Sequence, residues 1–175
     1  MVILLSVLAF IIGVIIIIAI FGMTQPRIAT LERSIVINAG SETVFRELSS
    51  LRNFVTWNPW TRRDPQLTQT FAGEDGTIGS SYSWKGNKAV GEGTMTITGI
   101  EPFGLVTMTM DFGKSGTAKA TFVTEELDGK TTVTWRFESE MGNALRRGLL
   151  TKMMARFVGK DYEQGLINLK EKIEG

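Results

Sequence analysis

Residues 106–112 read VTMTMDF and residues 132–138 read TVTWRFE, and in both runs apolar and polar side chains alternate one for one, within strands expected over 105–112 and 131–139. Side chains two apart on an extended chain point the same way. Val106, Met108, Met110 and Phe112 therefore share a face, with Thr107, Thr109 and Asp111 opposite. Val133, Trp135 and Phe137 likewise oppose Thr132, Thr134, Arg136 and Glu138. Strands with one apolar and one polar face belong to an antiparallel sheet covered on one side.

Further strands are expected on the same grounds at 34–38, 67–72, 79–84, 89–100 and 117–125, with Tyr82 and Trp84 on one face and Met95 and Ile97 on another. Short links rich in glycine, such as Lys85-Gly86-Asn87, Gly113-Lys114-Ser115-Gly116 and Asp128-Gly129, favour a meander of neighbouring strands. After the first strand, Ser41 offers a hydroxyl to cap a helix whose apolar positions are Val44, Phe45, Leu48 and Leu51, ending before Asn58-Pro59. The cover for the sheet is expected from 143–173. There Leu150, Met153 or Met154, Phe157, Tyr162, Leu166, Leu169 and Ile173 recur every three or four residues. The fold class is thus α+β: a curved antiparallel sheet wrapped on a long C-terminal helix.

The N-terminal block is a different material. Residues 2–22, VILLSVLAFIIGVIIIIAIFG, carry no charge, and as a helix they would extend about 31 Å, close to the roughly 30 Å of a bilayer core. A cleaved leader would show a basic start, a shorter apolar run and small residues at a cleavage site, and none of the three is present. The expected organisation is a transmembrane anchor over 2–22, a linker over 23–31 and one domain over 32–175. Arg27 and Arg33 follow the span and lean towards a cytoplasmic domain.

Composition narrows the chemistry. The 175 residues include no Cys and no His, so disulfides, thiolate or His-based triads and the common zinc sites are excluded. With 19 basic and 18 acidic residues, there is no overall electrostatic footprint for nucleic acid. No catalytic set, metal or cofactor emerges. Gly113-Lys114-Ser115 reads as a turn, because the glycine of a phosphate loop is replaced by Met108, and Gly91-Glu92-Gly93 lacks the third glycine of a dinucleotide fingerprint.

The order of elements resembles the helix-grip fold of the SRPBCC superfamily, which includes START-like and polyketide cyclase/dehydrase-like domains. The residues that carry the likeness are Arg33-Ser34-Ile35-Val36-Ile37-Asn38, the Val44-Phe45 helix, Trp57-Asn58-Pro59-Trp60, Trp84-Lys85-Gly86-Asn87, Gly91-Glu92-Gly93 and the closing Gly165-Leu166-Ile167-Asn168-Leu169-Lys170. It is similar in particular to a bacterial branch with an N-terminal transmembrane helix. The resemblance implies an apolar cavity between the sheet and the last helix for a lipid, polyketide or other hydrophobic ligand.

The inward faces nominate the lining: Trp57, Trp60, Tyr82, Trp84, Met95, Met108, Met110, Phe122, Trp135, Phe137, Met153, Met154 and Phe157. Aromatic and methionine stripes at these spacings also describe an ordinary core. Trp57-Asn58-Pro59-Trp60 reads either as a lid or as a plug between helix and sheet. Lys152, Arg156 and Lys160, aligned at i, i+4 and i+8, could meet anionic headgroups or be only a solvated face. Three functions follow: membrane-anchored binding of a hydrophobic small molecule, a cyclase or dehydratase with Tyr82 as proton donor, or a module that docks a membrane protein partner.

Overall fold

The computed structural model describes residues 2–175, with the side chains of Arg146 and residues 148–157 outside that description. Helix α1 (Val2–Thr24) leads into strand β1 (Ile28–Ile37), followed by α2 (Ser41–Ser49), α3 (Leu51–Trp57) and a 3-10 turn, Thr61–Arg63. Strands β2 (Thr68–Ala72), β3 (Ser81–Lys85), β4 (Glu92–Glu101), β5 (Leu105–Asp111), β6 (Thr117–Leu127) and β7 (Lys130–Glu140) come next, and α4 (Ala144–Glu174) closes the chain. The seven strands form one antiparallel sheet in the order β1-β7-β6-β5-β4-β3-β2. The fold is the α+β helix-grip arrangement, with α4 gripped by the sheet and a long apolar helix at the N-terminus.

Strand β1 starts earlier than the alternation indicates, inside the stretch read as a linker. It pairs with β7 from Ile28 opposite Glu140 to Ile37 opposite Thr131. The inward series Ala29, Leu31, Ile35 and Ile37 is interrupted by Arg33 on the same face, which hides the period. That charge is tolerated because Arg33 Nε lies 2.6 Å from Glu163 Oε1 on α4. Gly159 makes the room: a Cβ there would come within 2.7 Å of Arg33 Nη2.

Ser41 does not cap α2. Gly40 holds the cap position without a side-chain bond, and the Ser41 N–H instead donates to Glu126 Oε2 at 2.6 Å. A carboxylate brought by β6 thus does the capping, and these hydrogen bonds hold the Glu126 carboxyl below its ordinary pKa. The helical pair breaks at Ser50, whose backbone is extended and whose hydroxyl accepts from Asn53 N–H at 3.0 Å. Asp75 from the β2–β3 connection completes this cap by accepting from Leu51 N–H at 2.8 Å.

The core is fullest where α3 and α4 meet the sheet. Trp135 is flanked by Tyr162, stacked with ring centroids 3.8 Å apart, and by Phe122 at 4.9 Å and Trp57 at 5.7 Å. Gly165 lets α4 approach this cluster, because a Cβ there would sit 2.8 Å from the Trp135 ring and 3.3 Å from Pro59 Cδ. In an unobstructed helix, Gly to Ala gains about 1 kcal/mol. Here overpacking of about 1–3 kcal/mol opposes it, so a Gly165→Ala chain is expected to melt lower than the parent in a thermal scan. A higher melting temperature would show that α4 is not closely seated.

Helix α1 is not a core helix of the domain: Gly22 is its one buried residue. It lies alongside α4, with Arg147 Nε donating to the Gly22 carbonyl at 3.0 Å. The expectations for Leu150, Lys152, Met153, Met154, Arg156 and Phe157 fall on side chains outside the described residues.

Candidate functional site

Between the sheet and α4 lies a cavity of about 250 Å³, lined by Phe54, Asn58, Trp60, Thr61, Leu67, Tyr82, Trp84, Val90, Met95, Met110, Phe112, Phe137, Val158 and Tyr162. Most of its wall is hydrocarbon and aromatic. It sits just below the roughly 300 Å³ at which drug-sized pockets begin, and at ~30 Å³ per water it has the volume of on the order of eight waters. One or two rings, or the end of an acyl chain, match that size; a whole diacyl lipid does not.

Trp60, Tyr82, Trp84, Met95, Met110 and Phe137 line the cavity as nominated. Trp57, Met108, Phe122 and Trp135 do not; they are buried in the core beyond it. Met153, Met154 and Phe157 lie outside the described side chains. The division follows from position along the strand, which alternation does not report. In register, Met110 is one residue from the end of β5, Trp84 one from the end of β3 and Phe137 three from the end of β7. Met108 and Trp135 stand one pleat deeper on the same faces, where α3 and α4 already fill the space.

Several lining residues carry no strand-interior signal. Asn58, Thr61 and Leu67 come from the connection after α3, Val90 from the β3–β4 turn, and Phe54 and Val158 from helices. Phe112 and Tyr162 could have been found, since one extends the Met108–Met110 face and the other belongs to the C-terminal apolar stripe.

Trp57-Asn58-Pro59-Trp60 divides its labour. Trp57 is the plug, 1% exposed and edge-on to Phe54 and Trp135. Trp60 forms wall at the rim: its indole Nε1 donates to Asp161 Oδ2 at 3.1 Å, and Asp161 also pairs with Arg63. Asn58 is committed to shaping this corner. Its Oδ1 accepts from Trp60 N–H, Thr61 N–H and the Thr61 hydroxyl, while its Nδ2 donates to the Phe54 carbonyl.

The wall residues Tyr82 and Trp84 stack at 5.6 Å, and Phe71, outside the lining, stacks on Tyr82 at 5.2 Å. Gly93 beneath them explains part of the glycine pair in β4: a Cβ there would lie 2.7 Å from the Trp84 ring and 2.8 Å from the Asp111 carbonyl. Gly91 takes a positive φ of 71° at the turn.

Among the described lining residues the titratable groups are Tyr82 and Tyr162. Burial pushes the Tyr82 hydroxyl up to about 12, opposed in part by a hydrogen bond with Thr61, and burial raises Tyr162 as well. Both are neutral at physiological pH and act as hydrogen-bonding groups rather than bases. A group whose folded pKa is raised contributes stability in full below its unfolded pKa, near 10 for tyrosine, and loses it as pH climbs through the folded value. Alkaline titration of the tyrosinate absorbance is therefore expected to stay flat past pH 10 and then rise together with unfolding. A normal tyrosine transition near pH 10 on a folded chain would contradict the buried placement.

No metal-binding cluster of Asp and Glu is present among the described residues.

Among curated proteins no sequence match is found. Solved structures share the fold at low identity. Protein CV1439 from Chromobacterium violaceum superposes with a TM-score of 0.61 at 14% identity, covering 84% of this chain and 98% of its own. Ara h 8.0201 gives 0.63 at 10% identity, covering 83% and 97%. The di-domain aromatase/cyclase StfQ of the steffimycin biosynthetic pathway gives 0.62 at 10% identity, covering 84% of this chain and 51% of that one. The family model described as polyketide cyclase/dehydrase and lipid transport matches residues 29–174, nearly the whole chain after α1, and the chain belongs to that family.

Proposed function

We propose that the protein is a membrane-anchored binding protein that holds a hydrophobic or amphipathic small molecule between the sheet and α4 without altering it. The observation that carries this reading is the cavity itself: an apolar chamber whose few polar lining groups are neutral hydrogen-bonding groups. A cyclase or dehydratase needs a positioned acid or base with a pKa near the working pH. Among the described lining residues only the two tyrosines titrate, and burial moves both away from that range. The family description covers both cyclases and lipid transport, and the neutral lining favours binding.

Anchoring is supported by α1, a helix of 23 residues that is long and apolar enough to cross a bilayer and is exposed along nearly its whole length. In water that surface would be a large unfavourable exposure, whereas hydrocarbon accepts it.

Methionine methyl NMR of the full chain in detergent tests the binding. On titration with 2-naphthol or decanoate, the Met95 and Met110 methyls are expected to shift in a saturable way while Met108, buried outside the cavity, stays fixed. Uniform, unsaturable drift of all three would contradict a defined pocket.

A further inference from the structure

We infer that the end of the sheet reached directly from α1 is a docking face for an anionic bilayer surface, and that it holds the mouth of the cavity against the lipid. The inference rests on the reading of α1 as a membrane span and adds an orientation, a partner surface and a route for the ligand.

The register defines this end. Ile28 faces Glu140, Asp111 faces Thr117, and Glu92 faces Lys85, which faces Thr68, so these residues terminate their strands at one end of the sheet, with Asp111 also opposite Thr94 two residues into β4. The half-buried lining residues Leu67, Trp84, Val90 and Phe112 lie at or just beyond these termini, while Tyr82, Met95, Met110 and Phe137 are buried behind them. Among the described side chains the mouth thus opens at the α1 end. Only Gln25, Pro26 and Arg27 separate α1 from β1, a reach of about 10 Å at full extension. If α1 spans, this face cannot leave the surface.

Charge is segregated in the same sense. At this end the α1–β1, β3–β4 and β5–β6 connections carry Arg27, Lys88 and Lys114 and no acid, the α3–β2 connection carries Arg62 and Arg63 against Asp64, and the β7–α4 connection is uncharged. At the far end, the β2–β3 and β6–β7 connections carry Glu74, Asp75 and Asp128 and no base. Acids near the mouth are largely engaged. Asp64 accepts from Gln66 N–H and Asn87 N–H, Asp111 from Gly113 N–H, Asp161 pairs with Arg63, and Glu92 lies 3.9 Å from Lys85. Glu140 remains exposed at the strand end. The formal net charge of +1 would draw the chain only weakly to an anionic surface and in no fixed orientation; the separation of sign selects this face. Exposed Ile28 beside Arg27 adds an apolar residue at interfacial depth.

The absence of cysteine makes single spin labels clean. Full chains carrying Ala89→Cys or Ser115→Cys at the mouth end, Ile78→Cys or Leu127→Cys at the far end, or Ile15→Cys within α1 would be reconstituted in phosphatidylcholine with or without phosphatidylglycerol. Access of an aqueous nickel reagent to each label would then be measured. In the anionic bilayer the labels at 89 and 115 are expected to be several-fold less accessible than those at 78 and 127, and Lys88→Glu with Lys114→Glu is expected to remove the difference. If the label at 15 lies in lipid and all four domain labels are equally accessible, the inference is overturned and the span reading stands. Equal protection with and without phosphatidylglycerol overturns the charge-directed docking. If the label at 15 is itself in water, both readings fall.

Discussion

Trp135→Ala is expected to lower the free energy of unfolding by about 3–5 kcal/mol, enough to remove a large part of the roughly 5–15 kcal/mol that holds a typical domain folded. Trp135 is 1% exposed and is the hub of the aromatic cluster. Besides Tyr162, Phe122 and Trp57, it meets Phe54 at 6.1 Å and Trp60 at 6.0 Å, so no single neighbour can collapse into the space it leaves. Trp135→Phe separates packing from polarity. The Trp135 indole N–H is buried with no hydrogen bond of normal geometry, although it lies close enough to the Tyr162 hydroxyl to oppose that group's rise in pKa, so it recovers only part of its desolvation cost. Removing it with much of the ring retained is expected to cost well under half of the alanine effect. Urea unfolding of both variants in the same detergent measures the two losses. Equal losses would mean that the N–H makes a strong hydrogen bond to Tyr162, and a small alanine effect would mean that the cluster is not the structural centre.

The second large effect concerns the cavity. Val158 is half-buried on α4 and forms wall without belonging to the aromatic hub. An indole at this position would project into a chamber of only about 250 Å³. Val158→Trp is therefore expected to weaken 2-naphthol binding, read at the Met95 and Met110 methyls, by more than tenfold, which corresponds to about 1.4 kcal/mol or more. Partial exposure should keep the stability cost at the low end of the 1–3 kcal/mol typical of overpacking. Unchanged affinity in a folded Val158→Trp chain would place binding elsewhere.

These two residues also show what the sequence makes legible. Trp135 and Met108 announce themselves as inward-facing through a strict period of two, and that period recovers the sheet, its meander and the helix that covers it. It does not report how far along the strand the covering helices reach. Trp135 and Met108 are consequently core while Met110 and Phe137, on the same faces, are cavity wall. Val158, Val90 and Leu67 carry no periodic mark because they reach the wall from a helix and two connections. Arg33 concealed the first half of β1 by placing a charge on the apolar face, and its compensation by Glu163 and Gly159 lies some 130 residues away. The α2 cap escaped for a related reason: Glu126 reaches Ser41 from another element, and a local rule sees only local donors and acceptors.

Ligand retention also has consequences for the fold. A molecule that binds only the folded state adds stability with concentration, so the strand ends around the mouth, which surround a chamber instead of a filled core, are expected to be the part of the sheet most stabilised by ligand. In the unliganded chain the contacts at these ends are the stacking of Trp84 on Tyr82 and the Trp60–Asp161 bond.

The central claim is that this cavity carries a hydrophobic small molecule, and native mass spectrometry of the full chain, released from detergent micelles and followed by organic extraction, tests it most directly. The expected result is a reproducible adduct of one hydrophobic species per chain, present in the parent protein and lost in Val158→Trp. A bare polypeptide mass under conditions that preserve the fold, or an adduct retained equally by Val158→Trp, would contradict it.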